Sequence, residues 1–308
     1  GSNLARRLAD LGAAVTVVDN LTETQGGNRF NLDGYQERFR VVEADVGDAK
    51  RLPALVEGAS VVFNLAAATS HLDSMRDPLG DLEVNCRAQL ALLEACRLHA
   101  KDAVVVFTST RQVYGKPERL PVDETHRLAP PDINGIHKAA GEAYHTLYHR
   151  VHGLRTTVLR LTNVYGPRMR IKDARQTFLG VWVRDAVEGK PFEVWGGEQV
   201  RDFTFVDDLV EALLLSADPA LAGRILNIGG SPPVSLKTAA DTLVAEAGAA
   251  ARYEVREFPA ERKRIDIGDY ATDDRRFRSL TGWTPRTDLG EGFRRSLAYY
   301  RRHLARYL

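Results

Sequence analysis

GSNLARRLADLGAAVTVVDN (residues 1–20) contains the two patterns from which the fold is predicted. Leu4, Leu8 and Leu11 recur at the spacing of one helical face, and a glycine then ends the pattern as glycines commonly end helices. The run AVTVVD (14–19) that follows is short and rich in β-branched residues, which is typical of a buried strand. A helix followed by a strand is therefore predicted at the start of the chain.

The same alternation continues along the chain. Further strand-like runs are FRVVEADV (39–46), SVVFNLAA (60–67), AVVVFTST (103–110), TTVLRLTN (156–163) and RILNIGG (224–230). Helical patterns separate them, as at 81–99, 138–152 and, later in the chain, 236–247. Apolar strands that alternate with helices predict a parallel sheet covered on both faces. The predicted fold class is therefore α/β, with a doubly wound, Rossmann-like sheet.

The alternation loosens after about residue 165, where loops containing glycine and proline become frequent. We interpret residues 1–165 as a nucleotide-binding domain to which 201–230 return. Residues 166–200 and 231–308 are then a smaller, interleaved α/β substrate domain.

No strand pattern precedes the first helix. The first strand of a doubly wound sheet lies in its middle, and a sheet without it exposes strand edges inside the protein. Either Gly1 and Ser2 are a cloning remnant, or Gly1 is the last glycine of a G-x-x-G-x-x-G turn. The second interpretation is favoured because Asp19 ends the next strand where a dinucleotide fold places its ribose ligand. We therefore expect the first strand upstream of residue 1.

Composition excludes several classes of partner. The chain has 42 basic and 41 acidic residues, so neither nucleic acid nor a membrane surface is expected as a partner. No apolar run approaches the ~18 residues that cross a bilayer. Cys86 and Cys96 lie too far apart in one predicted helix for a disulfide, which favours buried thiols in a reducing compartment. A cytoplasmic enzyme is expected.

A set of segments resembles the NAD-dependent epimerase/dehydratase family, in its nucleotide-sugar branch, within the extended short-chain dehydrogenases/reductases. Besides the opening helix and VTVVDN, the segments are EADV (43–46), NLAAATS (64–70), DLEVNCRAQLALLEAC (81–96), STRQVYG (109–115), LRLTNVYGPR (159–168), RDFTFVDD (201–208), LNIGG (226–230) and GWTP (282–285). Their order matches the family, and together they span nearly the whole chain.

The resemblance implies NAD as the cofactor. Residues that match cofactor contacts are Gly1, Asp19, Asn20, Asp45, Val46, Leu65, Ala66, Ala67, Asn85 and Lys138. Asp19 can accept hydrogen bonds from a ribose diol, whereas a 2′-phosphate would meet a like charge. The alternative is an aspartate that only shapes the following turn. A helix beginning at Gly1 offers free N–H groups to a pyrophosphate.

The resemblance also implies a nucleotide-diphosphate sugar as the substrate. Matching or neighbouring substrate residues are Ser74, Arg111, Asn163, Trp195, Arg201 and Arg264. Arg201 and Arg264 correspond to arginines that bind the diphosphate, a task suited to a bidentate fork. The register at Arg264 is open because Arg262 and Lys263 adjoin it. Trp195 is nearly as consistent with a core tryptophan.

Thr110, Asn134 and Lys138 are the candidate catalytic residues. The family places a tyrosine four residues before the lysine, where this chain has Asn134. An amide cannot accept a proton as a phenolate does. The remaining acceptors are a water held by Asn134 and Lys138, or the side chain of His137 or Tyr165.

Arg111 and Gln112 replace the Asp–Glu pair with which the dehydratase branch eliminates water, which favours epimerase-like chemistry through a transient keto-sugar. Arg111 is a candidate partner for a substrate carboxylate. The alternatives are a dehydratase or decarboxylase of the same family, or a non-catalytic protein that binds NAD and a nucleotide sugar.

Three histidines lie on one stripe of the helix predicted around 138–152: His145, His149 and His152. The opposite stripe carries Ala140, Ala143, Tyr144, Leu147 and Val151. We interpret the histidines as a polar face near a homodimer contact and assign no metal site.

Overall fold

The structure is a computed structural model that describes residues 1–249 and 251–308. In chain order its strands are β1 (Thr16–Asp19), β2 (Arg40–Glu43), β3 (Val61–Asn64), β4 (Val104–Thr110), β5 (Arg155–Leu161), β6 (Asn163–Tyr165), β7 (Pro191–Trp195), β8 (Val200–Arg201), β9 (Phe203–Phe205), β10 (Ile225–Ile228), β11 (Val234–Ser235) and β12 (Arg252–Arg256).

The α-helices are α1 (Ser2–Asp10), α2 (Leu52–Val56), α3 (His71–Arg76), α4 (Pro78–Leu82), α5 (Ala88–His99), α6 (Ile133–His152), α7 (Phe178–Val187), α8 (Val206–Leu215), α9 (Leu236–Ala247), α10 (Ala260–Lys263), α11 (Arg275–Thr281) and α12 (Leu289–His303). A π-helical turn, Glu83–Arg87, joins α4 to α5. Among the described residues no helix is long and apolar enough to cross a membrane.

The predicted parallel sheet is present. Strands β10, β5, β4 and β3 are hydrogen-bonded in that order, and every pair is parallel. Strand β4 lies inside the sheet, and its residues Val105, Val106 and Phe107 are fully buried. All six predicted strand runs form strands, and the helices follow them as expected. The α/β prediction is confirmed.

Strands β1 and β2 form a separate parallel pair, with Asp19 opposite Glu43. The order of a doubly wound sheet has its first strand between this pair and β3. The expected strand upstream of residue 1 stays a prediction.

Helices cover both faces of the four-stranded sheet. Val104 and Val106 of β4 pack with α1, α8 and α11 on one face. Val105 points to the other face and packs with α2, α5 and α6. This alternation follows from the two-residue period of a strand.

A second hydrophobic core joins α7, α9 and α12 to β7 and β9. Phe192, Phe203 and Phe293 are at its centre and are almost completely buried. The two cores agree in outline with two domains, although Phe203 from the segment assigned to the first domain packs in the second core. The domain boundaries stay a prediction.

A buried polar cluster of Ser109, Tyr114, Glu142, Arg160 and Asn227, the Arg160 cluster, crosses the sheet below its carboxyl edge. Arg160 donates from Nε and Nη2 to the two Glu142 carboxylate oxygens at 2.9 and 2.6 Å. Ser109 donates to Glu142 at 2.5 Å, and Arg160 donates to the Tyr114 hydroxyl at 2.9 Å. Tyr114 donates to Asn227 at 2.7 Å. Side chains from four parts of the chain thus satisfy a buried ion pair.

The prediction of a polar histidine face and an opposite apolar face on α6 is wrong. His145 is fully buried, with its ring stacked 4.3 Å from Phe107, and Nδ1 donates to the Gly141 carbonyl at 2.8 Å. Burial lowers the pKa of His145 to about 4, so the ring is neutral. Leu147 and Val151 are instead 41% and 60% exposed. A neutral imidazole packs as an aromatic ring once its N–H has an acceptor, which residue polarity alone does not reveal.

Candidate active site

A cavity of about 870 Å³ opens at the carboxyl edge of the four-stranded sheet. Thr110 lies there because it is the last residue of β4, and Asn163 lies there because it begins β6, two residues after the end of β5. Lys138 and Asn134 contribute from the first turns of α6. Ligands of doubly wound sheets bind at this edge, so the predicted catalytic residues share one candidate site.

The opposite wall of the cavity comes from the second half of the chain. Trp195, Arg201, Phe258 and Arg262 line it. The Arg262 guanidinium lies 4.7 Å from the centre of the Trp195 ring, and Phe258 packs edge-on against the same ring. Trp195 is therefore a wall of the cavity and not a core residue.

Thr110 keeps its hydroxyl proton available. Its Oγ1 accepts a hydrogen bond from the Gln112 backbone N–H at 3.2 Å, where β4 gives way to a 3₁₀ turn. A hydroxyl that accepts one bond still has its own proton to donate. Thr110 can therefore donate to a ligand oxygen in the cavity.

Lys138 is a buried cation. Its Nζ donates to the Thr108 carbonyl at 3.0 Å and lies 4.8 Å from the centre of the Phe107 ring. Burial lowers the pKa of Lys138 to about 8, although the charges of Asp81 and Glu142 act in the opposite direction. At neutral pH the ammonium is charged and faces the cavity.

Asn134 is fixed in one orientation. Its Nδ2 donates to the Ala68 carbonyl at 2.7 Å and to Asp81 Oδ2 at 3.1 Å. Both of these partners are acceptors, so the amide nitrogen must face them. With both donors used, Oδ1 is the atom with which Asn134 can bind a ligand. The residue is thus a hydrogen-bond acceptor four residues before Lys138.

Asp81 is a site residue that the sequence reasoning missed. It is buried, and besides Asn134 it accepts from Asn85 Nδ2 at 3.0 Å. His137 Nδ1 lies 2.7 Å from Asp81 Oδ1, the oxygen that also accepts from Asn85. The signal in the sequence was an acid four residues before Asn85, on one face of the same helical segment.

Two of the suggested proton acceptors lie elsewhere. His137 contacts Asp81 and does not line the cavity. Tyr165 lies in the second core, where burial raises its pKa well above the ordinary value. A water held by Asn134 and Lys138 stays the predicted acceptor.

The predicted diphosphate residues are only partly brought together. Arg201 lines the cavity, but its guanidinium binds Asp266 at 2.8 Å and the Gly268 carbonyl. Arg264 is exposed and does not line the cavity, whereas Arg262 does. The reason is local: α10 ends at Lys263, so Arg262 lies on the turn that faces Trp195 and Arg264 lies beyond it.

Ser74 is not in the cavity wall. Its hydroxyl is buried, donates to the His71 carbonyl at 2.7 Å and accepts from the Asn134 backbone N–H at 3.2 Å. Ser74 therefore positions the start of α6 instead of contacting the cavity.

Arg111 lines the cavity without a bonding partner. Among the described residues its side chain makes no hydrogen bond or ion pair, and the Nε atom is buried and unsatisfied. The guanidinium lies 5.6 Å from the centre of the Tyr270 ring. Burial, and then the nearby charge of Arg201, lowers the pKa of Arg111 to about 10, so the group is still a cation at neutral pH.

The predicted cofactor residues form a second group at the ends of β1 and β2. Asn20 Nδ2 donates to Asp45 Oδ2 at 2.9 Å, and Asp19 Oδ1 accepts the Leu21 backbone N–H at 2.8 Å. Val46 follows Asp45 and is half-buried. The carboxylate of Asp19 is exposed and retains Oδ2 for a ribose hydroxyl.

The remaining cofactor residues connect that group to the cavity. Gly1 begins α1 without a side-chain cap, which leaves N–H groups for a phosphate. Leu65 and Ala67 line the cavity, whereas Ala66 is half-buried behind it. Asn85 is fully buried, and its Oδ1 has no partner. An exposed acid, an uncapped helix and a cavity at the edge of the sheet fit a dinucleotide.

Fold and site together define an α/β enzyme that uses a dinucleotide cofactor at the edge of a parallel sheet. Residues 1–229 match the model of the NAD dependent epimerase/dehydratase family. The chain belongs to this family, and it is an enzyme whose cofactor is NAD. The predicted resemblance, enzyme class and cofactor are confirmed.

Individual relatives cover nearly the whole chain. The UDP-glucose 4-epimerase of Mycolicibacterium smegmatis is 31% identical over 98% of this chain and 95% of its own length. UDP-glucuronate 4-epimerase 1 of Arabidopsis thaliana is 29% identical over 97% of this chain and 74% of its own. The UDP-glucose 4-epimerase of Thermotoga maritima, solved with UDP-glucose, has a TM-score of 0.89 and 28% identity over 99% of this chain and 96% of its own.

Proposed function

We propose that the chain epimerises a nucleoside diphosphate sugar through a transient keto-sugar. The observation that carries this proposal is the cavity in which Thr110, Asn134 and Lys138 face Trp195 and Arg201 across one space. A nucleotide sugar needs both walls, since its sugar must reach the catalytic group while its base and diphosphate are held apart from it. The similarity to UDP-sugar 4-epimerases supports the same proposal.

Each residue of the catalytic wall has a separate task. NAD, when bound, supplies the hydride acceptor of the first half-reaction and the hydride donor of the second. Thr110 donates to the sugar oxygen, and Asn134 Oδ1 accepts from a sugar hydroxyl. Lys138 stabilises the negative charge that develops as the hydroxyl loses its proton, which is strongest in a buried site. The proton passes to a water held by Asn134 and Lys138.

The facing wall holds the nucleotide. Trp195 offers a flat face to the base, while Arg262 places its positive charge beside that ring. Asn163 and Arg201 also line the cavity, and the diphosphate is assigned to them. At the other end of the site, Asp19 favours the ribose diol of NAD over the 2′-phosphate of NADP.

Turnover of a sugar-nucleotide panel tests this function. Purified protein is incubated with UDP-, dTDP-, GDP- and CDP-sugars, products are identified by NMR, and reduced nicotinamide is followed by absorbance. We expect slow epimerisation of one sugar, because a missing general base typically lowers the rate about 10²–10⁴-fold. Thr110→Val should abolish cofactor reduction, and Asn134→Tyr should accelerate it.

Other outcomes would overturn the proposal in defined ways. Tight binding of NAD and a sugar nucleotide without reduction in any of these variants indicates a non-catalytic binding protein. Loss of water or of carbon dioxide from the sugar indicates a dehydratase or a decarboxylase.

We also propose a homodimer. An apolar stripe on the outside of two contacting helices is exposed, with Leu90 and Leu98 on α5 and Leu147 and Val151 on α6. A second copy can cover this stripe with its own, as two-fold interfaces do. Light scattering after size exclusion should give a dimer for the parent and a monomer for Leu147→Glu. A monomeric parent contradicts the proposal.

A reducing compartment, such as the cytoplasm, is the proposed location. Cys86 and Cys96 are both free and buried, and burial raises the pKa of Cys96 to about 12. Both therefore remain protonated thiols.

A further inference from the structure

The cations that line the cavity differ in how the chain neutralises them. Most of them already have an acceptor: Arg76 binds Glu261, Arg175 binds Asp73, Arg201 binds Asp266, and Lys138 binds the Thr108 carbonyl. Arg262 lies against the Trp195 ring. Among the described residues that line the cavity, Arg111 and Arg262 are cations whose side chains make no hydrogen bond or ion pair. Of these two guanidinium groups, that of Arg111 has a buried donor, Nε, without a partner.

An unused buried fork is costly to maintain. A buried donor without a partner loses roughly 1–3 kcal/mol of hydrogen bonding with water, and more for a charged group. The nearby charges of Asp202 and Asp266 offset part of this loss, but both carboxylates bind other groups and neither accepts a hydrogen bond from Arg111. An anionic group of the ligand would satisfy the fork.

The position of Arg111 indicates which part of the ligand this is. Arg111 directly follows Thr110, the residue proposed to contact the reacting sugar hydroxyl. The base, in contrast, is assigned to Trp195 and Arg262. The diphosphate is assigned to Arg201, whose charge is near Arg111 but whose guanidinium is paired with Asp266. A guanidinium fork matches a planar carboxylate with two parallel hydrogen bonds.

We propose that Arg111 binds a carboxylate carried by the sugar, so that the substrate class is a nucleoside diphosphate uronic acid. This inference rests on the proposed function, since it assumes that a nucleotide sugar occupies the cavity. In the complex the carboxylate accepts hydrogen bonds from the Arg111 guanidinium, whereas a neutral hexose leaves this guanidinium without an anionic partner. The site therefore selects the acid sugar over its neutral counterpart.

Calorimetry with matched ligands tests the inference. The protein is loaded with NAD and titrated with UDP-glucuronate, UDP-glucose and UDP. The parent should bind UDP-glucuronate about 10- to 100-fold more tightly than UDP-glucose. Arg111→Met should remove most of that preference while leaving the affinities for UDP-glucose and UDP nearly unchanged. Arg111→Lys should recover part of it, because a lysine restores the charge without the fork.

Arg262→Met is the matched control, because it removes a cation from the opposite wall. We expect it to weaken all three ligands by a similar factor. If Arg111→Met also weakens UDP, UDP-glucose and UDP-glucuronate equally, Arg111 binds the diphosphate and the inference is overturned. Equal affinity of the parent for UDP-glucuronate and UDP-glucose also overturns the inference. Failure of UDP, dTDP, GDP and CDP alike to bind counts instead against the proposed function, and is distinguishable for that reason.

Discussion

Arg160 lies in β5, Arg111 directly follows the neighbouring strand β4, and the two side chains have opposite environments. Arg160 forms a two-point ion pair with Glu142, and this pairing raises its pKa above the ordinary value despite burial. Arg111 has no such partner, and burial lowers its pKa to about 10. A charge that the chain itself satisfies holds the fold together, whereas a charge left unsatisfied at a cavity is available to a ligand.

The same contrast separates adjacent residues of β4. Ser109 points to one side of the strand and donates to Glu142 within the Arg160 cluster. Thr110 points to the other side, and although both residues line the cavity, its hydroxyl only accepts a bond, from the Gln112 backbone N–H. One step along the strand therefore separates a hydroxyl used in a structural network from one that can donate to a ligand.

The largest effect is expected when the ion pair between Arg160 and Glu142 is broken. Glu142→Ala leaves Arg160 buried without its carboxylate, and breaking a buried ion pair from one side typically costs 3–5 kcal/mol. We expect a fall of about that size in the free energy of unfolding, measured with urea. The double variant Glu142→Ala/Arg160→Met should recover much of the loss, because it removes the orphaned charge. A loss below ~1 kcal/mol in the single variant would contradict the structural role of the pair.

A slightly smaller effect, a gain in the free energy of unfolding, is expected when Lys138 is replaced by methionine. Its pKa of about 8 in the folded state lies below the 10.5 of the unfolded chain, so the unfolded state binds more protons between these values. The contribution of Lys138 to the free energy of unfolding should therefore rise with pH across this window. It should be lowest below pH 8. This lowering of the pKa corresponds to a loss of roughly 3 kcal/mol in the free energy of unfolding below pH 8.

The measurement is the difference in the free energy of unfolding between the parent and Lys138→Met. Urea unfolding at pH 7 and at pH 10 should show the variant more stable at pH 7, with the gap narrowing at pH 10. Other titrating groups are common to both proteins and cancel. A gap that is independent of pH would show that the ammonium of Lys138 is not penalised by burial.

An intermediate effect is expected when one hydrogen bond of the Arg160 cluster is removed. Tyr114→Phe deletes the hydroxyl that links Arg160 to Asn227. We expect a loss of about 2 kcal/mol, since two buried polar groups lose a partner. Tyr35→Phe is the control, because its hydroxyl binds Asp10 at the surface and should cost less than ~0.5 kcal/mol. Equal losses in the two variants would contradict the comparison.

The smallest effect on stability is expected at Arg111. Arg111→Met removes a cation that has no partner in the fold, so the free energy of unfolding should change by less than about 0.5 kcal/mol or rise. Arg160→Met, by contrast, strands Glu142 and should destabilise strongly. Urea curves of the two variants, recorded side by side without ligand, measure the contrast. A large loss in Arg111→Met would assign Arg111 to the structural group.

The sequence by itself determined the α/β alternation, because apolar strands and helices have local periods that neighbouring residues reveal. It also placed Thr110 at the carboxyl edge, because Thr110 ends a predicted strand. The resemblance to the family then identified Lys138, and from its spacing to Lys138 it placed Asn134 where the family has a tyrosine.

Only the tertiary structure decided which polar groups meet. Asn134 and Asp81 are 53 residues apart, and their hydrogen bond leaves Asn134 as an acceptor. His145 is buried because Phe107 from another element stacks on it, and Arg262 rather than Arg264 reaches the cavity because α10 ends between them. Local patterns do not specify such partners, because the free energy of a buried polar group depends on atoms that distant segments bring to it.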